Sequence, residues 1–443
     1  MTKKRPDEPS KWGKRLVYKV ACPNCWQSFF PEEVLFIAKH PGLVGDPVAG
    51  SNEYLRFLPE RFTVKGEALD PRGVPTADLA CPRCHLRIPE IMLEVHPLFI
   101  SLIGSPASGK SYFLTAMTHS LRTILPRAGL QFTDADPHAN EPILDYERTL
   151  FANPHTNRPT EIRKSQLDDT RLHRFIRSNE MDIRVPVPLQ FRLWPQQNHP
   201  GFSDAYSIGR VIVMYDNAGE DFRPGTEDPQ AAAARHLAAS RILFVLLDLT
   251  QEPQFREKST RNDPQLKHGL RPGSAKQNVV DSQQTILNEA AVRLRRYLGI
   301  SEKDRVRTPL IVIVPKFDIW EELVGVSISE EPYETSDGNS LLAMNTDAVD
   351  EVSRQIREVL WRFCPAFVST AEGLSEVVRY VPVSSLGRSP EFIQQEGAGY
   401  YGICPRDISP KWVTVPLLYC LCKWAPGMIA RRHKDHQHGR QLS

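Results

Sequence analysis

The chain has 443 residues, 41% apolar and 24% charged, an ordinary composition for a water-soluble globular protein of two or three domains, or of one large domain with insertions. Its 55 basic and 53 acidic residues leave a net charge of +2, without the basic footprint that marks nucleic-acid binders, so nucleic acid is not an expected partner. No apolar run approaches the roughly 18 residues of a membrane span. The charged start Met1-Thr2-Lys3-Lys4-Arg5-Pro6 has no apolar core behind it, so the expected location is the cytoplasm.

Residues 1–17 are polar and basic and are expected to form a disordered lead-in. Two Cys-Pro-x-Cys turns follow, Cys22-Pro23-Asn24-Cys25 and Cys81-Pro82-Arg83-Cys84. Each turn can present two sulfurs, and the four thiolates suit one tetrahedral structural Zn²⁺. The intervening stretch is longer than the roughly 15–20 residues common between such turns, so it must fold as an insertion within a zinc-ribbon module spanning 18–94. Unliganded thiols or a redox pair are the plainer alternatives. His85 reads as a bystander, because four Cys already close a structural site. Cys364, Cys404, Cys420 and Cys422 lack ligand spacing and read as free thiols.

A second, larger unit is expected over 95–430. Leu98–Ile103 is a buried-strand run, followed by Gly104-Ser105-Pro106-Ala107-Ser108-Gly109-Lys110-Ser111 and a helix opening at Ser111-Tyr112. The loop fits G-x-x-x-x-G-K-[ST], the phosphate-binding P-loop. Gly104 and Gly109 permit the turn that aims successive N–H groups at phosphate oxygens. Lys110 can reach the outer phosphates, and the Ser111 hydroxyl can ligate Mg²⁺. Residues 133–180 mix charged and Pro-rich pieces and read as an insertion. Val187–Leu193 alternates with period two and contains Pro188, which predicts an antiparallel strand at a sheet edge.

Val211–Tyr215 is an unbroken apolar strand ending at Asp216, followed by Asn217-Ala218-Gly219-Glu220. A carboxylate at such a strand end can hold the Mg²⁺ shell, and Gly219 allows close backbone approach to a γ-phosphate. A helix over 229–240 precedes the buried strand Ile242–Leu247. Residues 251–277 read as a mobile insertion, 279–298 as a helix, Leu310–Val314 as a strand, 325–343 as a loop and 345–363 as a helix. The strand Val378–Val383 and a helix starting near Trp412 complete the unit. The tail 431–443 holds His433, His436 and His438 and reads as frayed. Buried strands alternating with helices predict an α/β fold with a mostly parallel sheet.

Two further strand ends carry recognition chemistry. In Pro315-Lys316-Phe317-Asp318, an Asp can accept from N1–H and N2–H₂ of guanine, which adenine does not offer, while the Lys316 stem can cover the ring face. Backbone N–H groups of Ser384-Ser385-Leu386-Gly387, chiefly at Ser385 and Leu386, can meet the guanine O6.

These four motifs, in this order, resemble the guanine-nucleotide motifs of Ras-like (TRAFAC-class) P-loop GTPases over roughly 98–430. With the preceding Cys ribbon, the chain also resembles the double-GTPase modules of bacterial conflict systems. The resemblance implies GTP or GDP held by the 104–111 loop, with Lys110, Tyr112 and Gly219 beside it. It implies Mg²⁺ on Ser111, Asp216 and Thr160, with Thr156 as the rival to Thr160. It implies base recognition by Lys316 and Asp318, and a protein effector or activating partner, which can itself be a second GTPase. Two departures stand out. Pro315 replaces the usual Asn or Thr, losing a side chain that ties the base loop to the P-loop. Glu220 stands where many of these proteins carry a water-orienting Gln, which predicts slow intrinsic hydrolysis, with Glu220 hindering or serving as base. A GTP-bound scaffold without turnover and an ATP-dependent P-loop NTPase are the alternatives.

Overall fold

The computed structural model describes residues 16–162, 173–178, 181–216, 222, 232–259, 263–267, 283–323, 325, 327–328, 330–335, 341–395 and 398–432. The central sheet has seven strands: β1 (His96–Gly104), β2 (Leu130–Asp134), β3 (Leu189–Pro195), β4 (Arg210–Asp216), β5 (Ile242–Leu246), β6 (Leu310–Val314) and β7 (Val378–Pro382). Their spatial order is β2-β3-β4-β1-β5-β6-β7. Strands β4, β1, β5, β6 and β7 pair in parallel, whereas β3 runs against both of its neighbours. The fold is therefore α/β with a mostly parallel sheet, and the parallel strands are apolar almost throughout because both faces are covered.

The longer helices are α1 (Lys110–Ile124), α2 (Glu141–Phe151), α3 (Ala232–Ala239), α4 (Gln283–Leu298), α5 (Thr346–Phe363), α6 (Pro365–Leu374) and α7 (Val415–Trp424). Helix α5 shows the local logic. The Asn345 side chain caps it by accepting from Ala348 N at 3.1 Å. Val349, Ile356, Val359, Leu360 and Phe363 then recur on one face and are buried.

Several expectations change. The antiparallel strand is β3, as its alternation implies, but it is not at the edge. Strand β2 pairs outside it, and Phe132 and Phe191 stack across that pair at 4.8 Å. Polar Gln131, Thr133 and Asp134 disguise β2, whose only inward apolar residues are Leu130 and Phe132. Pro188 lies just before β3, so it removes no ladder hydrogen bond. Helix α2 also occupies part of the stretch expected to be irregular. The polar stretch from 251 contains the short helices Pro253–Lys258 and Pro264–Lys267, the first anchored by buried Phe255 against Phe363. The expected loop 325–343 contains strand Tyr333–Thr335, which pairs with Leu342–Met344.

The two faces of β1 and β4 serve different cores. Leu98, Ile100, Leu102, Ile212 and Met214 pack into the main core with α1 residues such as Phe113 and Met117. Phe99, Val211, Val213 and Tyr215 point the other way and pack with Val20, Phe29, Ile88 and the four Cys of the paired turns. The stretch between those turns forms short antiparallel pairs, including Val44–Asp46 with Gly50–Tyr54 and Ala68–Leu69 with Pro75–Thr76. The Cys-containing segment is thus a lid on one face of the sheet.

Candidate functional site

The sulfurs of Cys22, Cys25, Cys81 and Cys84 lie within 4.8 Å of one another, and all four residues are buried. Cys22 Sγ to Cys84 Sγ and Cys25 Sγ to Cys81 Sγ are each 3.8 Å. A tetrahedral Zn²⁺ with bonds of about 2.3 Å requires a sulfur–sulfur edge of about 3.8 Å, so the donor set fits that ion. The two turns repeat each other. Asn24 N donates to Cys22 Sγ and Arg83 N to Cys81 Sγ, both at 3.3 Å. Trp26 N returns to Cys22 O at 3.0 Å and His85 N to Cys81 O at 2.9 Å. Trp26 and His85 adopt positive φ of 61° and 58° to close the turns. Among the described residues His85 is not part of the four-sulfur group, and its Nδ1 lies 2.8 Å from Asp46 Oδ1.

The 104–111 loop joins the end of β1 to α1. Ala107 and Gly109 take positive φ of 61° and 90°, which turns the chain into the helix. A Cβ at Gly104 would be tight, 3.1 Å from both Leu246 Cβ and Ser108 Oγ. The 15-residue helix α1 therefore opens onto the loop with its positive dipole end. Lys110 Nζ folds back onto the carbonyls of Gly104 at 2.9 Å and Ser105 at 3.2 Å. The Ser108 hydroxyl is buried without a hydrogen-bond partner. An unmade buried bond of this kind costs about 1–3 kcal/mol. Asp216 pairs in register with Leu102 of β1, two residues before the loop begins.

The base-side residues stand at the ends of β6 and β7. Lys316 has φ of 59° and begins a short helix, Phe317–Trp320. Its Nζ is 2.6 Å from Asp248 Oδ2 and 3.2 Å from Thr250 Oγ1. Asp318 accepts a hydrogen bond from the Ser384 hydroxyl, whose oxygen also accepts from Gly387 N at 2.9 Å. Burial pushes the Asp318 carboxyl above the usual carboxylate range, and the Ser384 contact draws it partly back. The Ser384-to-Gly387 loop is braced by its returning chain, with Lys411 N on Ser384 O at 2.8 Å and Ser409 N on Leu386 O at 2.9 Å.

Thr160 is held by its backbone. Its N and O pair with Ile403 O and N, both at 3.0 Å. Two residues on, Ile162 N donates to the Tyr112 hydroxyl at 3.0 Å, which brings this segment against the start of α1. Thr156 is exposed, and its carbonyl accepts from Arg406 N at 3.3 Å. Gly219, Glu220, Asn217 and Ala218 lie outside the described residues, as do residues 1–15 and the histidines of the tail.

The loops after β1, β6 and β7 and the strand end at Asp216 thus share one end of a parallel sheet, with Asp248 of the chain beyond β5 between them. Sequence reasoning missed Asp248, Gln251 and Gln283. Asp248 had a weak signal, an acidic residue closing a buried strand run. Gln251 and Gln283 had none, since a Gln in a polar stretch is unremarkable.

No family model matches the chain. It is 25% identical over 364 residues to a Mycolicibacterium smegmatis protein described as a putative ESX-1 scaffolding and assembly protein, SaeC, covering 79% of this chain and 82% of that protein. It also aligns with a crystal structure of sup35 complexed with GDP, at 14% identity and a TM-score of 0.22, over 66% of this chain. The chain spans only 38% of that structure's length.

Proposed function

We propose that the chain is a GTP- and GDP-binding switch protein with a structural zinc site, and that nucleotide state controls its binding to a protein partner. One observation carries the reading. A Gly-rich loop on a helix N-terminus, a strand-end Asp216 and the Lys316–Asp318 pair occupy the same end of a parallel sheet. Ligands of open α/β sheets bind at that end. The 104–111 amides and Lys110 hold phosphates, Ser111 and Asp216 serve Mg²⁺ with Thr160 as the further hydroxyl, and Asp318 reads the guanine edge. Mg²⁺ supplies neutralisation of charge between the outer phosphates. Phosphoryl transfer here means attack of water on the γ-phosphate, at a slow rate because the sequence has Glu220 at the position where many Ras-like GTPases carry a water-orienting Gln.

The description of the M. smegmatis relative favours a second reading, an assembly scaffold that uses bound GTP as a structural part. The experiment is nucleotide identification on purified protein, single-turnover hydrolysis, and partner capture in the GTP and GDP states. Guanine nucleotide with slow turnover and state-dependent capture supports the switch. Bound GTP that is never hydrolysed supports the scaffold, and equal affinity for ATP refutes both.

A further inference from the structure

The Pro at 315 removes the side chain expected to tie the base loop to the phosphate loop, yet the two loops are tied here by other residues. Buried Asp248 is the centre. Its carboxylate receives Lys316 Nζ at 2.6 Å on one oxygen, and Thr250 N and Thr250 Oγ1 at 2.9 and 2.7 Å on the other. The first residue of α4, Gln283, grips the Asp248 backbone from both sides. Its Oε1 accepts from Asp248 N at 2.7 Å, and its Nε2 donates to Asp248 O at 3.0 Å. The same Nε2 donates to Glu252 Oε1 at 2.6 Å.

The other end of the chain of contacts reaches the phosphate loop. Ser105 Oγ donates to Gln251 Oε1 at 3.0 Å and lies 3.5 Å from Gln283 Oε1. Gln251 Nε2 donates to Pro106 O at 3.2 Å. A carbonyl can only accept, so the orientation of the Gln251 amide is decided by chemistry. Asp248 and Gln283 are almost fully buried, at 0% and 5% exposure, where bonds to a charged group are strongest and hardest to replace.

We infer that Asp248, Gln251 and Gln283 are positioning residues that lock the base loop to the phosphate loop in place of the side chain missing at 315. Resting on the guanine-nucleotide reading, this inference names what sets base selectivity. Asp248 holds Lys316 at its left-handed turn, two residues before Asp318. Gln283 holds Asp248, and Gln251 fastens the segment to Ser105 and Pro106.

The test titrates the full-length protein with GDP, IDP and inorganic pyrophosphate by calorimetry. IDP lacks the 2-amino group, so the GDP/IDP affinity ratio reads the contact made by Asp318. Pyrophosphate reads the phosphate loop alone. Gln283→Leu removes the bonds to Asp248 N, Asp248 O and Glu252 Oε1 and is expected to weaken GDP about tenfold. The GDP/IDP ratio should move toward one, while pyrophosphate affinity changes less than about threefold. Asp248→Asn keeps the shape, removes the charge opposite Lys316 and should move the ratio the same way. If Gln283→Leu does not fold, Asp248→Asn decides alone. An unchanged GDP/IDP ratio, or equal losses for all three ligands, overturns the relay. Wild-type protein that binds pyrophosphate but neither nucleotide overturns the underlying guanine reading instead.

Discussion

The Tyr215 hydroxyl donates to the carbonyl oxygen of Pro23 at 2.7 Å, joining the strand that ends in Asp216 to the first Cys turn. On its other side the Tyr215 ring stacks on His236 of α3, with ring centres 5.3 Å apart. His236 Nδ1 lies 2.7 Å from Ser101 Oγ of β1. One buried tyrosine therefore links the first Cys turn, the strand leading to Asp216 and the helix beyond it.

Tyr215→Phe keeps the ring and deletes one donor, leaving the Pro23 carbonyl buried and unmatched. The expected cost is about 1–3 kcal/mol, read as a lower urea midpoint with an unchanged slope. A midpoint equal to wild type would mean that the bond does not bind the Cys segment to the sheet.

Freshly purified protein should contain close to one equivalent of zinc by elemental analysis. Chelation should lower the thermal midpoint and loosen the Cys segment first, because metal binding is coupled to folding of its ligands. Cys81→Ser should reproduce the chelated state. Less than about half an equivalent would argue against a resident metal.

Lys110→Ala should abolish measurable GDP binding while the thermal midpoint stays within a few degrees. The Lys110 side chain donates to the loop carbonyls of Gly104 and Ser105, and the expected loss is of a charge-assisted phosphate contact. Calorimetric affinity at the wild-type level would remove the loop from the proposed site.

The buried Asp318 should make guanine affinity fall as the solution is acidified. Its carboxyl sits above the usual carboxylate range in the free protein, with burial the main cause. Guanine donors favour the ionised form, so binding lowers that pKa and releases a proton wherever the free protein holds one. Affinity is therefore full well above the raised pKa and declines as pH drops through it. In Asp318→Asn this component of the decline should vanish, leaving only that of the phosphates. Identical GDP pH profiles for the two proteins would show that the base is read elsewhere.

Glu220→Gln separates two roles for that side chain. If the carboxylate only hinders, as proposed, the variant should raise the single-turnover rate of GTP hydrolysis. A fall of roughly 10²–10⁴-fold would make Glu220 the general base instead.

The sequence by itself determined the pieces whose chemistry is local. A short run rich in β-branched residues such as Leu310–Val314 reads as a buried strand, and it is one. The loop from Gly104 to Ser111 carries its own turn residues, and two Cys-Pro-x-Cys turns declare a sulfur pair each. Tertiary structure alone decided what depends on contacts between distant residues. Strand β2 joins the sheet through pairing with β3, about sixty residues later, and its short alternation cannot reveal that. The Cys turns reach one another across the chain and then cover Tyr215. Asp248, Gln251 and Gln283 meet the 104–111 and 315–318 loops only because the parallel sheet brings the ends of β1, β5 and β6 side by side. A glutamine offers the same amide in any setting, and only burial beside a particular backbone makes it part of a site.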